Sequence, residues 1–248
     1  MVFIFMIYYL FLSHKKNFMK LKLLLPILAL AASCNSTDES YEIDLHCAEC
    51  GSAKVSLCRY VDGTISDLST TTFEHGHAVF KGKINEPELI YIFVEDALDY
   101  LPVFLENSSI DIDYVYARPS RSVVTGSQCH KTFSDFLQSY SAYSDKGTGI
   151  DKMIENAEDN CDTLMLQRLT DNLKILEHEK VEFQRQYVVQ NNTSPVSAYI
   201  LCTDLMYKLS SNELDTLINM FPSEMKGSIY LKQVFEYRKT MPQDTIAL

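Results

Sequence analysis

The chain contains no tryptophan, which removes the Trp-Cys-x-x-Cys setting usual for a redox-active cysteine pair. It also has no Gly-rich phosphate loop, no G-x-S-x-G elbow and no H-E-x-x-H. The common signatures of nucleotide binding, serine hydrolysis and zinc proteolysis are therefore missing. Positive charge is scarce, with 22 basic against 33 acidic side chains and a formal net charge of −11. A surface of that sign repels phosphates and anionic headgroups, so nucleic acid is not an expected partner. Long apolar runs are lacking too. Residues 2–12 are too short for a span of about twenty residues, and His14, Lys15 and Lys16 interrupt any longer anchor. No internal repeat is evident.

What the N-terminus does contain reads as an export signal. Lys20 and Lys22 form a basic region, and residues 23–32 form an apolar core. Ala31, Ala32 and Ser33 then lead into Cys34 in the manner of a lipobox. Met19 opens a signal of ordinary size, so translation is expected to begin there, with residues 1–18 an upstream extension and residues 1–33 absent from the mature chain. Cys34 is the expected lipid attachment site. That address is the cell envelope, with the protein held to a membrane through its N-terminal lipid. Removing the segment before Cys34 takes four lysines and no acid, which deepens the net charge to −15 (−11 − 4). Residues 34–40 are polar and acidic, the composition of a flexible tether, and leave periplasmic and surface-facing placement both open.

Two textures follow, and together they predict an α+β chain. Over residues 41–126, short strand-like runs argue for an antiparallel β-sandwich or open barrel. Tyr41, Ile43, Leu45 and Cys47 alternate with Glu42, Asp44 and His46, the period of a half-buried strand. Val55 and Leu57 mark a second strand, and Asp62-Gly63 a hairpin turn. Further runs lie at 77–81, 89–94, 101–105 and 110–116, with turns at 85–87 and 106–109. The run 89–94 is continuously apolar, as expected of a strand covered on both faces. Over residues 127–248 the period becomes helical. Phe133, Phe136, Leu137 and Tyr140 recur at helical spacing. Residues 150–189 read as one long segment with Ile154, Ala157, Cys161, Leu166, Leu169, Leu173, Leu176, Phe183 and Tyr187 on one stripe. Ser194-Pro195 starts another helix, Ser210 with Glu213 has capping-box spacing, and Ser223 precedes the last.

Several of these residues carry a resemblance: Phe80-Lys81-Gly82 with Pro87 five residues on, Val103-Phe104-Leu105-Glu106, Ile110 and Ile112, Val124-Thr125-Gly126-Ser127, and the helical Phe133 and Phe136. In these, residues 41 to about 137 resemble the domain of unknown function 4369 of Bacteroidota lipoproteins. Asn107 stands where a glycine is common. The stretch around Asn192-Thr193-Ser194-Pro195 resembles the linker module that follows this domain. In many relatives a thioredoxin-like domain comes next. This chain ends at Leu248, where that domain would begin. The resemblance therefore implies a non-catalytic binding or scaffolding unit related to the front half of envelope thiol–disulfide oxidoreductases, in stand-alone or truncated form. An envelope redox protein is the partner it implies, and no cofactor is expected.

The sharpest local motif is His46-Cys47-Ala48-Glu49-Cys50-Gly51. Such a cysteine pair can exchange disulfides or chelate a metal. It follows a strand rather than opening a helix, so the helix dipole that activates a nucleophilic thiol is not expected here. A static hairpin disulfide or idle thiols is the preferred reading, with a redox or metal site at Cys47 and Cys50 the alternative. His46, Cys47, Cys50 and Cys58 together number four zinc ligands, but strand alternation sets His46 opposite Cys47. His75 and His77 share a face and can clamp a metal, with Gly76 between them marking a turn. Asp111 and Asp113 share a strand face near Glu106, a pair able to do acid–base work but typical of a solvent face. The remaining cysteines, 58, 129, 161 and 202, complete an even number after Cys34. Cys161 and Cys202 are expected in the core. Fifteen tyrosines fit core packing.

Overall fold

The computed structural model describes residues 40–61 and 64–242. The export signal, Met19, Cys34 and nearly all of the tether lie outside the described residues. Eight strands build two four-stranded sheets. Sheet A has the order β4-β1-β7-β8 and sheet B the order β3-β2-β5-β6. The strands are β1 (Tyr41–His46), β2 (Lys54–Val61), β3 (Thr64–Thr72), β4 (His77–Gly82), β5 (Glu88–Val94), β6 (Leu101–Leu105), β7 (Ser109–Asp113) and β8 (Val123–Thr125). Five helices follow: α1 (Gln128–Asp159), α2 (Thr163–Gln190), α3 (Pro195–Thr203), α4 (Ser211–Met220) and α5 (Ile229–Thr240). The chain is α+β, with its sheets antiparallel in every pairing but one.

That exception is β1 with β7, which run parallel. The chain leaves sheet A after β4, lays down β5 and β6 in sheet B, and returns to enter β7 alongside β1. Parallel neighbours need such a long crossover. Alternation along β1 reports its faces and says nothing of the direction of its neighbours.

The sandwich core forms between the sheets because alternate residues of each strand point inward. Ile43, Leu45, Ile110 and Ile112 meet Val55, Leu57, Ile90, Ile92, Val103 and Leu105, all fully buried. A second core lies on the other side of sheet B. Leu89 and Phe104 join Phe133, Phe136, Val196, Leu201, Leu205, Tyr230 and Leu231 from the helices. β5 is thus covered on both faces, as its unbroken apolar run predicts. Backbone groups seal the seam: Leu89 N–H donates to the Tyr230 hydroxyl at 2.8 Å, and Ile229 N–H donates to the Glu86 carboxylate at 2.9 Å.

Several helix boundaries differ from expectation. α1 runs unbroken from Gln128 through Gly147 and Gly149. Two glycines cost about 1 kcal/mol each relative to alanine, tolerable in a helix that packs along α2. The single segment expected over 150–189 is broken at Cys161, whose φ is 55°. Asp162 then caps α2, accepting from Met165 N–H at 3.0 Å. Cys161 is therefore exposed rather than in the core, whereas Cys202 is buried. Ser194 and Ser210 cap α3 and α4 as predicted, the latter in a capping box with Glu213. The final helix is capped by Ser228 instead of Ser223.

Candidate functional site

Beyond β1 the chain turns sharply, and Cys47 and Cys50 are joined there by a disulfide, with their Cα atoms 5.4 Å apart. Cys50 N–H donates to Cys47 O at 3.3 Å and Ala53 N–H to Cys50 O at 2.8 Å, closing the turn. Cys47 N–H donates to Gly76 O at 2.8 Å, which ties it to the turn before β4. A Cβ at Gly76, where φ is 78°, would come within 2.8 Å of the Cys47 carbonyl, so that approach requires glycine. Both cysteines belong to the sandwich core and are only 2% and 5% exposed. No helix begins at the pair. In the disulfide the sulfurs are not available as metal ligands, and Cys58 is turned to Asp67 Oδ1 at 3.2 Å.

The buried free thiols are poorly placed for nucleophilic chemistry. Burial, reinforced by the Asp67 hydrogen bond, pushes Cys58 up to about 11. Burial alone pushes Cys202 up to about 11. Cys129 is raised further, by burial and then by its hydrogen bond to Glu106. Thiols in this range are protonated at neutral pH.

The exposed face of sheet A gathers different chemistry. β1 lies between β4 and β7, and its outward positions are Glu42, Asp44 and His46. Register sets His46 directly opposite His77 on β4, and Asp44 opposite Asp111 on β7. Facing and diagonal side chains on neighbouring strands lie within reach of one another. The two imidazoles stack with centroids 5.0 Å apart and an interplanar angle of 23°. Nε2 of His77 hydrogen-bonds to Asp44 Oδ1, and Nε2 of His46 lies 3.2 Å from the same oxygen. Asp111 Oδ2 is 3.6 Å from His46 Nε2. One donor atom from each of Asp44, His46 and His77 falls within 4.8 Å of the other two, a set of the kind that can hold a metal ion.

This grouping differs from those drawn from sequence. His75 sits in the turn before β4 with φ of 54° and is not part of the set, so His77 faces His46 instead of His75. Asp111 and Asp113 share the outer face of β7, but Glu106 points elsewhere: its carboxylate accepts Cys129 N–H at 3.0 Å, at the start of α1. Alternation in β1 already places Asp44 and His46 on one face. The arrival of His77 depends on strand pairing across a long stretch of chain, for which no local signal exists.

Open grooves line the α1–α2 hairpin. One of about 550 Å³ is bounded by Lys152, Met153, Asn156, Ala157, Asn160 and Met165. It gathers no nucleophile and no pair of ligating side chains. Among the described residues, no helix is long and apolar enough to cross a membrane.

Residues 41–133 match the family described as a domain of unknown function (DUF4369). No curated protein and no solved structure matches the chain.

Proposed function

We propose that this chain, which carries a domain of unknown function 4369 over residues 41–133, is a lipid-anchored binding or scaffolding module of the cell envelope with no catalytic chemistry of its own. The observation that carries the reading is the setting of the Cys47–Cys50 disulfide. It is buried in the sandwich core within a closed turn, away from any helix N-terminus. Disulfide exchange needs an accessible sulfur and an activated thiolate. The buried free thiols, held in their protonated forms, support the same conclusion. Cys34 is the lipid-bearing residue in this proposal, residues 35–40 are the spacer, and an envelope redox protein is the kind of partner the resemblance suggests. The acidic surface, −11 overall, disfavours nucleic acid.

Differential alkylation with mass spectrometry on protein from native membranes tests both parts. The expected result is a lipidated Cys34 at the mature N-terminus and a Cys47–Cys50 pair that stays oxidised as the envelope redox poise is changed. A Cys47–Cys50 pool that follows the poise would replace this reading with a thiol–disulfide oxidoreductase. An unmodified Cys34 would remove the anchor.

A further inference from the structure

We propose that Asp44, His46 and His77 form a binding site for a divalent transition-metal ion of the zinc class on the exposed face of sheet A. Both Nε2 atoms converge on one carboxylate oxygen, Asp44 Oδ1, and the three donor atoms lie within 4.8 Å of one another. Metal–nitrogen and metal–oxygen bonds in such sites are about 2.0–2.2 Å. Ligands around one small ion therefore stand a little over 3 Å apart, and modest side-chain rotations bring these three to that spacing. The backbones need not move. β1 is hydrogen-bonded on both sides, and the β1–β4 register holds His46 and His77 face to face. Ligands mounted on paired strands are more precisely held than ligands on loops.

The donor set selects the class of ion. Two imidazoles with one carboxylate suit zinc, copper, nickel or cobalt, whereas magnesium and calcium take oxygen ligands. Asp111, with Oδ2 3.6 Å from His46 Nε2, is placed to supply a fourth ligand or to orient a metal-bound water. Asp113 lies opposite His46 on β7 and adds negative charge to the face. The nearby cation Lys81 is paired with Glu42 at 2.9 Å. The ligand side chains are 41–46% exposed, so the site is open and its ion exchangeable, unlike a closed structural zinc. This site would give the binding role proposed above a ligand. It does not involve the disulfide, so its failure would leave the thiol argument standing.

Titration calorimetry with Zn²⁺ on the full chain in detergent, in a Cys161→Ser background that removes the exposed thiol, is the test. One ion per chain is expected, with affinity falling roughly tenfold or more in His46→Ala, His77→Ala and Asp44→Asn. His75→Ala should bind as the parent does, and Mg²⁺ and Ca²⁺ should give no saturable heat. The Co²⁺ form should show visible d–d bands without a thiolate charge-transfer band. The substituted side chains are solvent-exposed or half-buried on a sheet surface, and circular dichroism melts will establish that each variant is folded. Absence of saturable binding at micromolar Zn²⁺, or binding that survives the His46→Ala/His77→Ala double substitution, overturns the proposal.

Discussion

The carboxylate of Glu106, immediately after β6, accepts the backbone N–H of Cys129 in the first turn of α1 at 3.0 Å. Its neighbours repeat the connection. Ser127 Oγ donates to Phe104 O at 3.0 Å and accepts His130 N–H at 2.9 Å, while Phe104 N–H donates to His130 Nδ1 at 3.2 Å. One strand end thus caps and orients the first helix. The motif elements Phe104, Glu106 and Ser127 do structural work here: they dock the helices on sheet B.

Substitution of Glu106 by alanine removes a charged acceptor from a helix N-terminus. The expected loss is about 1–2 kcal/mol of stability, with the unfolding midpoint lowered in urea and the m-value unchanged. Glu106→Gln should recover part of it, because the amide oxygen still accepts. Equal losses in both variants would mean that charge alone matters at this position.

Asn107 clasps the chain before β5 with both ends of its amide. Ile84 N–H donates to Oδ1 at 3.0 Å, and Nδ2 donates to Ile84 O at 2.7 Å. Asn107→Gly should destabilise this chain by about 1–2 kcal/mol through two lost hydrogen bonds. Thermal unfolding would read the change. A neutral or stabilising outcome would show that the turn conformation outweighs the clasp.

Much of this architecture is legible in the sequence. The inward Tyr41, Ile43 and Leu45 and the outward Glu42, Asp44 and His46 follow from alternation alone. The two-sided burial of β5 follows from its apolar run. Ser194-Pro195 and the Ser210–Glu213 box declare their helices. What escaped has physical causes. β3 is an edge strand, largely exposed and rich in Ser and Thr, so it carries no burial period to read. The α1–α2 turn contains neither Gly nor Pro, and the apolar stripe continues past it. The break lies in the left-handed Cys161 and the Asp162 cap. The His46–His77 pairing is tertiary, set by register between strands distant in sequence.

The Cys47–Cys50 crosslink closes a very short loop, so its entropic contribution is small. Reduction, or the Cys47→Ser/Cys50→Ser pair, should cost about 2 kcal/mol. The chain should remain folded at room temperature, since the sandwich core is otherwise complete. Urea titrations with and without a phosphine reductant measure this. Collapse of the cooperative transition on reduction would show instead that the turn organises the β1–β4 edge.

Burial pushes the His130 imidazole down to about 4. Its Nδ1 accepts the Phe104 N–H, so it must stay neutral there, beside the Phe133 ring. In the unfolded chain the same group titrates near 6.5. Between these values the unfolded state binds the extra proton, so stability rises with pH. The contribution is complete above about 6.5 and is lost as pH falls toward about 4. It amounts to no more than about 3 kcal/mol, because the ring is not wholly shielded from solvent. Comparing the parent with His130→Gln separates this from the carboxylates that titrate in the same acid range. The difference in unfolding free energy between the two should shrink steadily from pH 7 to pH 5. A difference that stays constant over that range would mean His130 takes up its proton as readily in the folded protein as in the unfolded chain, and that its bond to Phe104 does not govern the acid limb.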